Sequence, residues 1–201
     1  MKVNDNVYVI DASRGSYVYV IKDKDIILID SGFRLMRRGI LKELKAIGIQ
    51  PENIKHLLLT HPDIDHIGNA AFIQKLSGCT VWISKEDFPY LSGERKRPGI
   101  KRLVETVARP GIPANIKVYD PAESLNGVEV IPTPGHTPGH VCLLYRDILF
   151  AGDLLHLSKG RLDPYPSFWD WDTPMHLASV EKLKSLSYKW ICPAHSSPVK
   201  V

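Results

Sequence analysis

The segment His61-Pro62-Asp63-Ile64-Asp65-His66 sets two imidazoles and two carboxylates directly after the apolar run Leu57-Leu58-Leu59. Imidazole nitrogens and carboxylate oxygens are ligands for divalent metals. In extended chain His61, Asp63 and Asp65 project to one side, and His66 then starts a helix and points the other way round the turn. Four ligand-type side chains are thereby delivered to one small volume at a strand end, where loops carry function. Alternatively, the segment is a capping turn before a helix, with Asp63 or Asp65 as the cap.

Three later segments repeat the situation of a ligand-type residue on the exit loop of a strand. His136 lies in Thr133-Pro134-Gly135-His136, Asp153 follows Ala151-Gly152, and His195 follows Pro193-Ala194. If these strand ends share one rim, they assemble His61, Asp63, Asp65, His66, His136, Asp153 and His195. That set exceeds one tetrahedral ion and suits two metal ions sharing one carboxylate. His140 is expected to be a hydrogen-bonding or core residue, His56 structural, and His176 to sit on a helix surface. His156, three residues past Asp153, is either a pocket acid or hydrogen-bond donor, or a loop histidine without a role. Tyr165, Phe168, Trp169 and Trp171 form an aromatic cluster, read as core or lid packing or as an apolar wall for an acyl group.

The elements that must position these residues are legible from period and punctuation. Strands are expected at 7–13, 16–23 and 25–30, with Arg14-Gly15 as a turn, and again at 56–60 and 79–84. Helices are expected at 34–47, stopped by Gly48, and at 65–78, closed by Gly78. The proline-rich stretch 85–118, with the basic cluster Arg95, Lys96, Arg97, Lys101 and Arg102, is expected to be an excursion flanking the site, with a short helix at 101–108. Strands return at 128–133, 141–145 and 147–153. A last helix begins at Thr173-Pro174, with Thr173 as cap, and runs to about residue 186, before a final strand at 188–195. The fold class expected is α/β, two sheets face to face with helices outside, in a single domain over 1–201.

The chain has 201 residues, 44% of them hydrophobic and 24% charged, with a net charge of +4. This is a soluble globular composition, and the small positive excess reads as a solvated face, not a nucleic-acid surface. Cys79, Cys142 and Cys192 are far apart, each in an apolar run, and are expected to be buried structural thiols in a reducing compartment. No apolar stretch reaches the roughly 18 residues of a membrane span, and the N-terminus has no signal-like apolar core, so a cytoplasmic protein is expected.

Taken together, the order His61, Asp63, Asp65, His66, His136, Asp153, His195, with Ile29-Asp30-Ser31-Gly32 ahead of it, resembles the metallo-β-lactamase-fold hydrolases. TPGHTPGH (133–140) and Pro193-Ala194-His195 resemble the glyoxalase II branch in particular. The resemblance implies a four-layer αβ/βα sandwich with its metal site at one edge. It places His61, Asp63 and His136 on one metal ion and Asp65, His66 and His195 on a second, with Asp153 bridging. It further implies a bridging hydroxide attacking the carbonyl of a small-molecule thioester, ester, lactone or amide, oriented by Asp65 as proton acceptor. Asp63 stands where the family usually has histidine, which makes the centre formally neutral instead of singly positive and suits harder ions. Zinc is therefore expected first, with iron or manganese as alternatives. The additional helical substrate domain of the glyoxalase II branch is not expected, since only six residues follow His195. A second class implied by the fold is a diiron oxidoreductase of oxygen or nitric oxide, acting with a separate electron-donor protein.

Overall fold

The computed structural model describes residues 1–96, 110–120 and 122–201. Two compact units follow one another along the chain, Met1–Val118 and Tyr119–Val201, each on its own mixed sheet.

In the first unit β1 (Val7–Ile10), β2 (Val18–Lys22), β3 (Ile26–Ile29), β4 (Ile54–Leu58), β5 (Thr80–Ile83) and β6 (Ile116–Val118) lie side by side in chain order. Short connections make β1, β2 and β3 antiparallel. From β3 to β6 the strands run parallel, which requires crossovers. Helix α1 (Arg37–Ala46) supplies one, and α2 (Ile64–Ile67) with α3 (Ala70–Ser77) supplies the next. Four consecutive residues of β2, Val18 to Ile21, are buried, so both faces of the sheet are covered there. Ile40 and Leu44 of α1 and Ile73 of α3 share one core with Val18, Val20, Leu28 and Leu57.

Two expectations change here. The helix expected at 34–47 opens with a separate 3-10 turn, Arg34–Met36, and ends before Gly48, whose φ of 75° reverses the chain. The helix expected at 65–78 is two helices, interrupted at Gly68-Asn69. The interruption has a packing cause. A Cβ at Gly68 would lie 2.6 Å from the Gly32 carbonyl oxygen and 2.7 Å from the Arg34 nitrogen. The Asn69 amide meanwhile donates to the carbonyls of Ser31 and Phe33 at 2.8 Å. Of the stretch 85–118, residues 116–118 form β6 and so belong to the sheet, while α4 (Phe88–Leu91) precedes the exposed Arg95 and Lys96. The helix expected at 101–108, with Arg97, Lys101 and Arg102, lies outside the described residues.

The second unit carries a five-stranded sheet ordered β13-β12-β9-β8-β7. Its strands are β7 (Val128–Pro132), β8 (Val141–Tyr145), β9 (Ile148–Gly152), β12 (Trp190–Pro193) and β13 (Val199–Lys200). Among the described residues of this unit, β9 and β12 pair in parallel and the other pairs are antiparallel. Between them come a hairpin, β10 (Leu155–Ser158) with β11 (Arg161–Pro164), and helix α5 (Thr173–Leu183). Leu183 closes a core with Ile131, Cys142, Leu149 and Ile191. The hairpin was not expected; its signal is Lys159-Gly160, both at positive φ, the two-residue turn that matches strand twist. The cap of α5 is Asp172, whose carboxylate accepts the Met175 N–H at 2.9 Å, so Thr173 is already helical. All three cysteines are free and buried as expected, and burial pushes the Cys142 thiol up to about 12. No described helix is long and apolar enough to cross a membrane.

Candidate metal centre

Strand β4 delivers Leu59, Thr60 and then His61 to the end of its sheet. Asp63 occupies the N-cap position of α2, where its backbone carbonyl accepts the N–H groups of His66 and Ile67 at 2.8 and 3.0 Å. Its carboxylate makes no capping bond and instead lies 3.6 Å from His61 Nε2. Asp65 belongs to the first turn of α2, not to extended chain, so strand alternation does not set its direction. The turn brings its carboxylate 3.3 Å from His66 Nε2. The His61 and His66 rings are fully buried with centroids 3.9 Å apart, and Asp63 and Asp65 are half-buried. All four residues picked out in this segment are therefore neighbours within their unit.

Asp30 fixes the imidazoles. It sits at the exit of β3 with φ at 58°, a strained value for a residue other than glycine. Its buried carboxylate accepts the Thr60 N–H at 2.9 Å and the Thr60 hydroxyl at 2.8 Å, and it lies 2.9 Å from His66 Nδ1. Nδ1 of His66 is thus the donor. Because the Thr60 hydroxyl spends its proton on Asp30, its oxygen accepts from His61 Nδ1 at 3.0 Å. Both rings are held with Nε2 basic and turned to the carboxylates, the tautomer a metal ligand needs. The sequence marks Asp30 only as part of a motif; an aspartate ending a buried strand is the available signal.

In the second unit three strand exits carry His136, Asp153 and His195. Asp153 is central: His136 Nε2 lies 3.6 Å from it, and His195 Nε2 lies 3.1 Å from each of its oxygens. Its own N–H donates to His140 Nε2 at 3.1 Å, and His140 Nδ1 pairs with the Thr133 hydroxyl at 2.9 Å, the hydrogen-bonding role expected of His140. His56 is half-buried and accepts from Trp82 Nε1 at 3.2 Å.

His176 is not on a helix surface. It is buried, 2.7 Å from the Asp170 carboxylate through Nδ1 and 2.8 Å from the Leu154 carbonyl through Nε2. The helical period sets it on the inward face of α5 with Ser179 and Leu183, where the Asp170 carboxylate and the Leu154 carbonyl receive its two nitrogens. Asp170 carries no signal in the sequence at all. Burial pushes its carboxyl up, but the facing imidazoles of His136 and His176 outweigh this and hold it below the usual carboxylate range.

His156 lies on β10, not in a loop, opposite Asp163. It is half-buried, and its buried Nδ1 has no hydrogen-bond partner among the described residues. Tyr165 gathers three histidine rings: it stacks on His195 with centroids 4.9 Å apart and meets His136 and His156 edge-on at 5.6 and 5.9 Å. Phe168 and Trp171 are 71% and 49% exposed, which rules out core packing for them.

The donor set of each unit suits divalent ions: two imidazoles and two carboxylates in the first, two imidazoles and one carboxylate in the second. Comparison with known proteins agrees. The model of the metallo-beta-lactamase superfamily matches residues 11–195. YflN, a probable metallo-hydrolase of Bacillus subtilis strain 168, is 26% identical over an alignment of 204 positions that takes in 86% of this chain and 76% of YflN. The hydroxyacylglutathione hydrolase GloC of Haemophilus influenzae is 29% identical over 155 residues, 70% of this chain and 66% of GloC. A metallo-beta-lactamase family protein of Thermus thermophilus superposes with a TM-score of 0.79 at 20% identity, over 99% of this chain and 76% of its own, so the α/β fold expected is the fold found. None of these relatives supports a diiron oxidoreductase. With the family match running from residue 11 to His195, the last of the expected ligands, the chain belongs to the metallo-beta-lactamase superfamily of metallo-hydrolases.

Proposed function

We propose that this protein is a dinuclear metal-dependent hydrolase of small molecules that carry a thioester, ester, lactone or amide. The observation that carries this is the pair of imidazoles, His61 and His66, held by Thr60 and Asp30 with Nε2 basic beside Asp63 and Asp65. A buried histidine kept for packing needs no such tautomer. By resemblance, His61, Asp63 and His136 would hold one ion and Asp65, His66 and His195 the other, with Asp153 available to both. Zinc is the first expectation, with iron or manganese favoured by the extra carboxylate of Asp63.

Divalent ions bound by these residues supply Lewis acidity toward a carbonyl and make a water nucleophilic at neutral pH. The chain's own groups have distinct tasks. Asp65, half-buried at the start of α2, orients the attacking water and takes its proton on a carboxylate oxygen. His156 offers Nδ1 to the departing group as an acid or hydrogen-bond donor. Tyr165 keeps the His195 ring in plane by stacking and shields it from water.

The test pairs metal analysis of protein purified without added metal with turnover of nitrophenyl esters, aryl thioesters, lactones and a chromogenic β-lactam. Two equivalents of metal and hydrolysis that is lost on chelation and regained on metal addition are expected. Asp65→Asn should lower kcat by a factor on the order of 10² to 10⁴. Hydrolysis that survives complete metal removal would sink the proposal.

A further inference from the structure

We infer that Asp170 and His176 are positioning residues for the ligands His136 and Asp153, a role that rests on the metal-binding function proposed above. The loops after β7 and β9 each carry one of those ligands, and the segment opening α5 contacts both loops. Asp170, its side chain 2% exposed, stands 2.7 Å from His176 Nδ1 and 3.6 Å from His136 Nδ1. His176 continues the chain of contacts through Nε2 to the carbonyl of Leu154, the residue after Asp153. With Nδ1 of His136 turned to Asp170, its Nε2 is turned to Asp153, 3.6 Å away.

The surrounding backbone leaves this arrangement little freedom. The N–H groups of Trp171 and Asp172 donate to the carbonyls of His136 and Gly135 at 3.2 and 2.9 Å, and the Ser179 hydroxyl donates to the Pro134 carbonyl at 2.7 Å. Any side chain at position 135 would run into the backbone of His176. The nitrogens and oxygens of His136, Asp170 and His176 are close enough together to surround an ion. Both nitrogens of His176 are already committed, however, to Asp170 and to the Leu154 carbonyl, so the trio is a brace and not a further metal site.

A carboxylate behind a ligating imidazole fixes its plane and raises its basicity, and losing such a partner typically weakens metal binding about 10–100-fold. A buried ion pair that served the fold alone would act differently. Its removal would lower the melting temperature and leave the metal affinity of the folded protein unchanged.

Asp170→Asn and His176→Gln distinguish the two. Each variant, depleted of metal, is titrated with zinc against a chromophoric chelator well below its melting range, and with cobalt(II) while the d–d absorption is recorded. For Asp170→Asn, one of the zinc equivalents should bind about 10–100-fold more weakly than in the wild type, with an altered cobalt spectrum. Wild-type zinc affinities and an unchanged cobalt spectrum, alongside a lowered melting temperature, would overturn the inference. Should Asp170→Asn fail to fold, His176→Gln, which keeps an amide to reach the Leu154 carbonyl, decides by the same readouts. A wild type that takes up no zinc overturns the proposed function itself, so the two failures are separable.

Discussion

Asp63 occupies a cap position without capping through its side chain. Its backbone does the capping work, accepting two N–H groups of α2, while the carboxylate is directed to His61 Nε2. An aspartate kept for helix stability would bond N2 or N3 through its side chain, worth about 1 kcal/mol. Its departure from that geometry favours a ligand role, and a carboxylate in place of an imidazole tilts the centre toward harder ions. Asp63→His should therefore raise the zinc share, and lower the iron and manganese share, of protein produced in medium supplying all three. Elemental analysis of both proteins, produced side by side, checks this; identical metal content would mean that Asp63 does not select the metal.

At the scale of elements, local pattern is a sound guide where one signal governs and misleads where two compete. The strand exits that carry the proposed ligands His61, Asp153 and His195 follow short apolar runs and that of His136 follows the alternating Val128–Pro132, and there the pattern locates the exits. The break between α2 and α3 is invisible in the sequence because periodicity runs straight through Gly68, and its cause is the distant segment Ser31 to Arg34. The roles of Asp30, Asp170 and His176 are hidden for the same reason: each acts through partners far away in sequence. A single methyl group at Gly68 tests this account. Gly68→Ala gains up to about 1 kcal/mol of helix propensity but drives Cβ into backbone that has no rotamer to change. A net loss of about 1–2 kcal/mol in urea unfolding is expected, together with weakened metal binding, because His66 precedes the displaced turn. A stabilised variant would show that propensity, and not contact with the segment 32–34, breaks the helix.

For the whole molecule, the ligands proposed are spread from His61 to His195, so the unfolded chain has no preformed site and metal binding is linked to folding. An ion bound by the native state alone stabilises it by about 2.7 kcal/mol when free metal stands about 100-fold above its dissociation constant. For a chain of this length each kcal/mol moves the melting temperature by about 2–4 °C. Chelation should therefore lower the thermal midpoint by about 5–10 °C, and adding back zinc should restore it in step with the titrated equivalents. The shift must also grow with free metal concentration, which separates linkage from damage by the chelator. A midpoint that ignores chelation at every metal concentration would mean that these residues hold no ion in the folded protein.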